Sequence, residues 1–119
     1  MFGATAKISI PYQADFYKTK AHHSNLYWVA SIEAMTYIAD EKGYSLVGTN
    51  TAGNNAFYVR NDLLNNNVEV LSVEAAYSSS NYRESRYKDG SLTCIPAIKR
   101  LKTIKDLPVF DIEKKILKK

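Results

Sequence analysis

Two adjacent histidines are the residues of this sequence whose chemistry suits proton transfer. An imidazole titrates near neutral pH, so His22 is a candidate general base for removing a proton from a hydroxyl group. The alternative is that His22 caps a turn or lies on the surface. His22 and His23 predict no shared metal site, because adjacent side chains point in different directions on most backbones and no cysteine or closely spaced carboxylate completes a ligand set.

Two arginines form the second candidate. Arg83 and Arg86 flank Glu84, and guanidinium groups at this spacing can clamp a carboxylate or phosphate of a substrate through charge-assisted hydrogen bonds. The alternative is a lattice of salt bridges that attaches this segment to the core. The sequence favours the lattice, because Glu84 supplies a carboxylate partner in place.

A polar loop between two short strands is the third candidate. Residues 44–47 and 56–59 are rich in β-branched and aromatic side chains, and residues 49–55 contain only Thr, Asn, Ala and Gly. This pattern predicts a β-hairpin whose tip takes a positive φ at Gly53. The tip is either a surface turn that bonds its own backbone or a ligand site on a rigid support. Its candidate substrate-binding residues are Asn50, Asn54 and Asn55.

The segments before the hairpin predict a small α/β unit. Alternation over residues 6–10 indicates a short strand that Pro11 ends. Apolar residues at spacings of three and four predict a helix over residues 25–42, with Ser24 as its N-cap and Gly43 just after its end. Because this helix leads directly into a strand, the connection is typical of α/β folds.

The pattern is weaker after the hairpin. Ser72 is a candidate N-cap of a short helix, and residues 91–95 read as a brief strand. Pro96 precedes a second short helix. Residues 109–112 are expected to form an edge strand before a frayed lysine tail. The apolar face of the second short helix consists of Ile98, Leu101 and Ile104.

Length, charge and cysteine content limit the classes of protein to which this chain can belong. A chain of 119 residues with 45% hydrophobic content is one small domain or part of a larger one. The net charge of +4 comes from residues 99–119, which carry eight basic and three acidic residues, so this charge indicates a solvated face and argues against nucleic-acid binding. Cys94, the only cysteine, allows no intrachain disulfide and has no evident basic neighbour to activate its thiol. No apolar run approaches the roughly 20 residues of a membrane span, so we expect a cytoplasmic protein.

The hairpin sequence GYSLVGTNTAGNNAFYVRNDL resembles the C-terminal half of bacterial FkbM-like SAM-dependent methyltransferases. The similarity extends over most of residues 10–113, through the segments Ile10-Pro11-Tyr12, Ala21-His22, Leu71-Ser72-Val73-Glu74, Tyr82-Arg83-Glu84-Ser85-Arg86 and Leu107-Pro108-Val109. Two positions depart from the family pattern. Gln13 stands where the family has an acidic residue, and His23 stands where it has a proline that would stiffen the following segment.

The resemblance implies an α/β fold that is part of a Rossmann-like methyltransferase sheet. Residues 1–61 would hold a strand, the last crossover helix and the closing hairpin, and residues 62–119 an irregular C-terminal extension with a short helix and a basic tail. The Gly-rich loop and ribose-binding acid that hold SAM would lie outside this chain, so the chain alone is expected to be inactive. SAM would be the cofactor of the complete protein only. His22, the three asparagines and the two arginines would then face a small-molecule acceptor.

A second hypothesis comes from a different functional class. The chain would be a non-enzymatic binding or assembly module whose sheet has an open edge. Such an edge predicts a homo-oligomer, or pairing with a separately encoded N-terminal half.

Overall fold

The computed structural model describes residues 2–81 and 83–118. Tyr82 and the side chain of Ile98, both named above, lie outside the described residues. The helices are α1 (Lys18–Ala21), α2 (Ile32–Glu41), α3 (Val73–Ala76) and α4 (Ala97–Thr103), and a 3-10 turn covers Asn61–Leu63. The strands are β1 (Ile8–Ser9), β2 (Tyr44–Thr49), β3 (Ala56–Arg60), β4 (Val109–Asp111) and β5 (Ile116–Lys118).

The strands form two separate antiparallel sheets. One sheet has the order β1-β4-β5, and the other is the β2-β3 hairpin. The protein is therefore a small mixed α/β domain with two antiparallel sheets and few helices. Within residues 2–81 and 83–118 every paired strand is antiparallel, whereas a Rossmann-like sheet needs parallel strands joined by crossover helices. The partial Rossmann-like sheet stays a prediction.

The predicted hairpin is confirmed. β2 and β3 pair from Tyr44 with Arg60 to Thr49 with Ala56, and a bulge between Leu46 and Gly48 interrupts the register. The hydroxyls of Tyr58 and Thr36 lie 3.0 Å apart, so one face of the hairpin rests on α2.

The predicted helix over residues 25–42 is right in its second half and wrong in its first. The helix begins at Ile32 because Asn25 and Val29 have positive φ values of 57° and 74°, which no α-helix tolerates. Ser31 is the N-cap, and its Oγ accepts from the Ala34 N–H at 3.0 Å. Ser24 instead stabilises a turn, with its Oγ accepting from the Leu26 N–H.

The segment before α2 belongs to the three-stranded sheet. Ala30 forms a bridge with Ser9, and the Ser31 N–H donates to the Ile8 carbonyl at 2.8 Å. Backbone groups that a longer helix would have used are therefore paired with β1.

The last third of the chain confirms the two short helices and corrects three expectations. Ser72 caps α3, accepting from the Ala75 N–H at 3.1 Å, and Pro96 directly precedes α4. Residues 91–95 contain a single bridge, from Leu92 to Arg86, and no strand. β4 is the central strand of its sheet, not an edge, and residues 116–118 form β5 where a frayed tail was expected.

A buried carboxylate explains why the tail is ordered. Asp111 is buried, and its side chain accepts from the Lys114 N–H at 2.9 Å and from the Lys118 ammonium. These bonds lower the pKa of Asp111 below its ordinary value and close the turn that returns β5 onto β4.

The core consists of two small clusters of buried apolar side chains. The first cluster contains Phe2, Leu26 and Ile104. The second contains Leu46, Val73 and Ala76, and it attaches α3 to the hairpin. Over the described ranges, no helix is long and apolar enough to cross a membrane.

Candidate functional site

A cleft of about 320 Å³ lies between the tip of the hairpin and the start of α2. We call it the tip cleft. Its apolar side comes from α2 and the segment before it, and its polar side comes from the hairpin together with Tyr77, Ser78 and Arg83. Its lining includes Val29, Ile32, Met35, Thr49, Asn54, Asn55, Tyr58, Tyr77 and Arg83.

The three predicted asparagines divide between two roles. The Asn50 side-chain oxygen accepts from the backbone N–H groups of Asn54 and Asn55, at 3.1 Å each, and its amide nitrogen donates to the Asn54 side chain at 2.6 Å. Asn50 therefore holds the loop closed, as the surface-turn alternative anticipated, and does not line the tip cleft. Asn54 and Asn55 do line it.

Gly53 places the tip directly against another stretch of backbone. Its φ is +67°, and a Cβ at this position would lie 2.5 Å from the Ser78 carbonyl oxygen and 2.7 Å from the Ser80 nitrogen. The Thr49 hydroxyl also donates to the Ala76 carbonyl. The polar side of the tip cleft is therefore a rigid junction of two backbone segments.

Val29 gives the opposite side of the cleft a strained backbone. Its φ of 74° lies in the left-handed region, which is rare for a β-branched residue and costs about 1–3 kcal/mol. The surrounding structure holds it there, since the Val29 carbonyl accepts from the Ile10 N–H and its side chain packs against the first core cluster. Residues held in such conformations concentrate at binding and catalytic sites.

Arg83 is the charged residue of the tip cleft. Its guanidinium lies over the Trp28 ring at 4.6 Å from the ring centre, a cation–π contact. Its Nη1 is buried and has no hydrogen-bond partner among the described residues. Burial and the charge of Arg100 both lower the pKa of Arg83 from its ordinary value. Arg83 therefore offers an unused donor with positive charge.

Arg86, the second arginine of the predicted clamp, does not line the tip cleft and is bonded within its own segment. Its Nε donates to Glu84 Oε1 at 2.6 Å and its Nη1 donates to the Gly90 carbonyl at 2.6 Å. The bond from Arg86 also lowers the pKa of Glu84. Arg86 thus forms the local salt bridge that the sequence favoured.

His22 lies outside the tip cleft. Its Nδ1 accepts from the Ser24 N–H at 3.3 Å and lies 2.7 Å from the Ser24 hydroxyl oxygen, so the hydrogen bonds assign the ring proton to Nε2. Burial and the nearby charges of His23 and Lys88 lower its pKa. These contacts match the alternative in which His22 supports a turn, and the general-base role stays a prediction.

Several cleft residues were not identified from the sequence. Tyr58 and Tyr77 are two of nine tyrosines, and nothing in their spacing separates a cleft residue from a core residue. Val29 continues the regular apolar spacing of the predicted helix, so the sequence does not distinguish it from a helical core residue. Only its left-handed backbone conformation does so. Arg83, Asn54 and Asn55 are the candidates from the sequence that line this cleft.

The arrangement suits binding more clearly than catalysis. An apolar wall, two side-chain amides and one cation can orient a small organic anion. Among residues 2–81 and 83–118, no three His, Cys, Asp or Glu side chains cluster as a metal site. The chain matches no protein-family model, no curated protein and no solved structure.

Proposed function

We propose that this protein binds a small organic molecule with an anionic group in the tip cleft. The observation that carries the proposal is the Nη1 of Arg83, which has no hydrogen-bond partner within residues 2–81 and 83–118, in a cleft that Asn54 and Asn55 also line. A buried cationic donor without a partner is costly, and a bound anion would supply the missing acceptor. The apolar side chains of Ile32 and Met35 would cover the organic part.

A titration with 4-hydroxybenzoate tests this proposal, because that probe combines a carboxylate, a ring and a hydroxyl in a size the cleft can hold. Two-dimensional NMR of the full chain should show saturable shifts of the side-chain amides of Asn54 and Asn55. Uncharged 4-hydroxybenzyl alcohol should bind about tenfold more weakly, because it cannot pair with Arg83. Arg83→Gln should remove that difference. Absence of saturable shifts at these amides, or equal affinity for the two probes, would overturn the proposal.

The resemblance to FkbM-like methyltransferases makes that bound molecule a methyl acceptor in this proposal, with the chain as the acceptor-binding portion of a larger enzyme. SAM would be held by residues that 1–119 do not provide, since no Gly-rich strand-to-helix loop occurs in this sequence. Calorimetric titration with SAM should therefore give no binding heat. Micromolar SAM affinity would refute this division of roles.

An assembly role is a second candidate, and the free edge of β3 favours it. β3 pairs with β2 alone in the described structure, and Phe57 on it is 53% exposed. Unpaired strand edges recruit other strands. Light scattering over a range of concentrations should show a dimer that Phe57→Lys weakens, with Tyr12→Lys, at another exposed aromatic, as the control. A monomer at every concentration would count against this role.

A further inference from the structure

A second cavity, of about 520 Å³, shares Arg83 with the tip cleft and is lined by more cationic groups than the tip cleft. We call it the arginine cavity. Its lining residues are Asn81, Arg83, Glu84, Arg86, Leu92, Cys94 and Arg100.

The charges around this cavity do not balance. Three arginines face one glutamate, and Glu84 is already paired with Arg86 at 2.6 Å. Neither Arg83 nor Arg100 has a carboxylate within salt-bridge distance in the described parts of the chain. Two guanidinium groups therefore share one region without a counter-charge.

Arg100 is the more deeply placed of the two, since only 3% of its surface is exposed. Its Nη1 donates to the Ser80 carbonyl at 2.7 Å and its Nε donates to the Ile95 carbonyl at 3.2 Å. Both acceptors are neutral, so these bonds fix the orientation of the guanidinium without neutralising its charge.

Arg83 shows the effect of this imbalance. Its Nη1 is buried without a partner among the described residues, and the positive charge of Arg100 is close enough to lower its pKa. Burying like charges is expensive unless an opposite charge is supplied. A bound anion beside Arg100 would supply that charge.

We propose that the arginine cavity binds a tetrahedral oxyanion, a phosphate group held between Arg83 and Arg100. A phosphate dianion matches two uncompensated cations, and guanidinium N–H groups suit its oxygens. The site stands apart from the tip cleft, because its anion contacts Arg100 and the tip-cleft ligand contacts Asn54 and Asn55. The phosphate is either free inorganic phosphate or the phosphate of an organic monoester.

The test is a titration of the full chain with sodium phosphate, with sodium chloride at matched ionic strength as the control. Two-dimensional NMR tuned to arginine should show saturable shifts of the Nε–H signals of Arg83 and Arg100 with phosphate only. Shifts that do not saturate, or that chloride reproduces, would overturn the proposal.

Charge-conserving variants make the assignment specific. Arg83→Lys and Arg100→Lys should each weaken phosphate binding about tenfold or more, because a lysine ammonium cannot form the bidentate hydrogen bonds of a guanidinium. Arg86→Lys, at the residue already paired with Glu84, should change it less than about twofold. If Arg100→Lys does not fold, the comparison of Arg83→Lys with Arg86→Lys is sufficient to test the proposal. Equal loss in those two variants would contradict the proposal.

The two sources of phosphate can be told apart with phenyl phosphate. Affinity about tenfold above that of inorganic phosphate indicates an organic monoester, and equal affinity indicates the free ion; both uphold the oxyanion site. Phosphate that shifts only Asn54 and Asn55 would place the anion in the tip cleft and refute the arginine site. Binding of 4-hydroxybenzoate at those amides would still uphold the proposed function.

Discussion

Gly53 has a left-handed backbone conformation and also lies in direct contact with the backbone of residues 78–80. We expect Gly53→Ala to lower the free energy of unfolding by about 3 kcal/mol, from the left-handed conformation together with a clash that side-chain motion cannot relieve. Gly90→Ala is the matched control, because its φ is +87° and a Cβ there meets nothing within 4 Å. It should cost about 1 kcal/mol. Equal losses, measured by urea unfolding, would show that the close approach is not required.

His22 predicts a dependence of stability on pH. Its pKa in the folded protein is below the ordinary 6.5, so the unfolded chain binds the proton more readily. The stabilisation is therefore complete above a pH of about 6.5 and is lost as the pH falls through the folded-state pKa. His22→Asn keeps a hydrogen-bond acceptor near Ser24. In this variant the free energy of unfolding, measured with urea, should fall less between about pH 7 and pH 5 than in the unchanged protein. His23→Asn, at the exposed neighbour, is the control; it should retain most of the loss, because burial is a larger cause of the lowered pKa of His22 than the charge of His23. An unchanged profile in both variants would be inconsistent with this role.

At the scale of elements, the Ser31 hydroxyl connects α2 to the three-stranded sheet. Its Oγ accepts from the Ala34 N–H at 3.0 Å and from the Ile8 N–H at 3.2 Å, and Ser31 is buried. Ser31→Ala should lower the free energy of unfolding by about 2 kcal/mol, since it removes a cap and leaves the Ile8 N–H without its acceptor. Ser72→Ala removes only the exposed cap of α3 and should cost about 1 kcal/mol or less. Thermal melts followed by circular dichroism compare the two losses of stability. A larger loss for Ser72→Ala than for Ser31→Ala would contradict this prediction.

The start of α2 shows where sequence patterns stop being sufficient. Leu26 and Val29 continue the apolar spacing of the helix, and Leu26 is indeed fully buried. Burial alone does not require helical backbone, and here Leu26 is buried in a non-helical segment whose residues 29–31 pair with residues 8–10. A spacing of three and four residues cannot distinguish these two cases. The hairpin was predictable because its strand composition and loop composition both favoured the same structure.

Residue pairs far apart in sequence account for the rest of what was missed. The position of β4 depends on its pairing with β1, from Ile8 with Asp111, and the tip cleft depends on Gly53 meeting residues 78–80. The secondary-structure propensity of a segment does not indicate such contacts. Asn54, Asn55 and Arg83 could be proposed from residue type, but Arg100 was assigned to a solvated face because its neighbours in sequence are lysines.

At the scale of the whole molecule, the protein is extended for its length. Its radius of gyration is 15.4 Å, against about 13.5 Å for a compact domain of this size. Among the described residues, buried apolar side chains form two clusters of three, the first packed against Ile8 of β1 and the second containing Leu46 of β2. We therefore expect the two sheets to open partly independently of each other.

Leucine truncations in the two clusters test this expectation. Leu26→Ala and Leu46→Ala should each lower the free energy of unfolding by about 2–5 kcal/mol. Native-state hydrogen exchange should then be faster mainly in β1 and β4 for the first variant and mainly in β2 and β3 for the second. Uniform acceleration over all strands in both variants would indicate one cooperative unit.

Arg83 borders both cavities with a single guanidinium group. An anion that neutralised it on one side would change the charge presented to the other side, so the two occupants would alter each other's affinity. Thermodynamic reciprocity requires that this influence be of equal size in both directions. One side chain would thus make two neighbouring binding events interdependent without any movement of the fold.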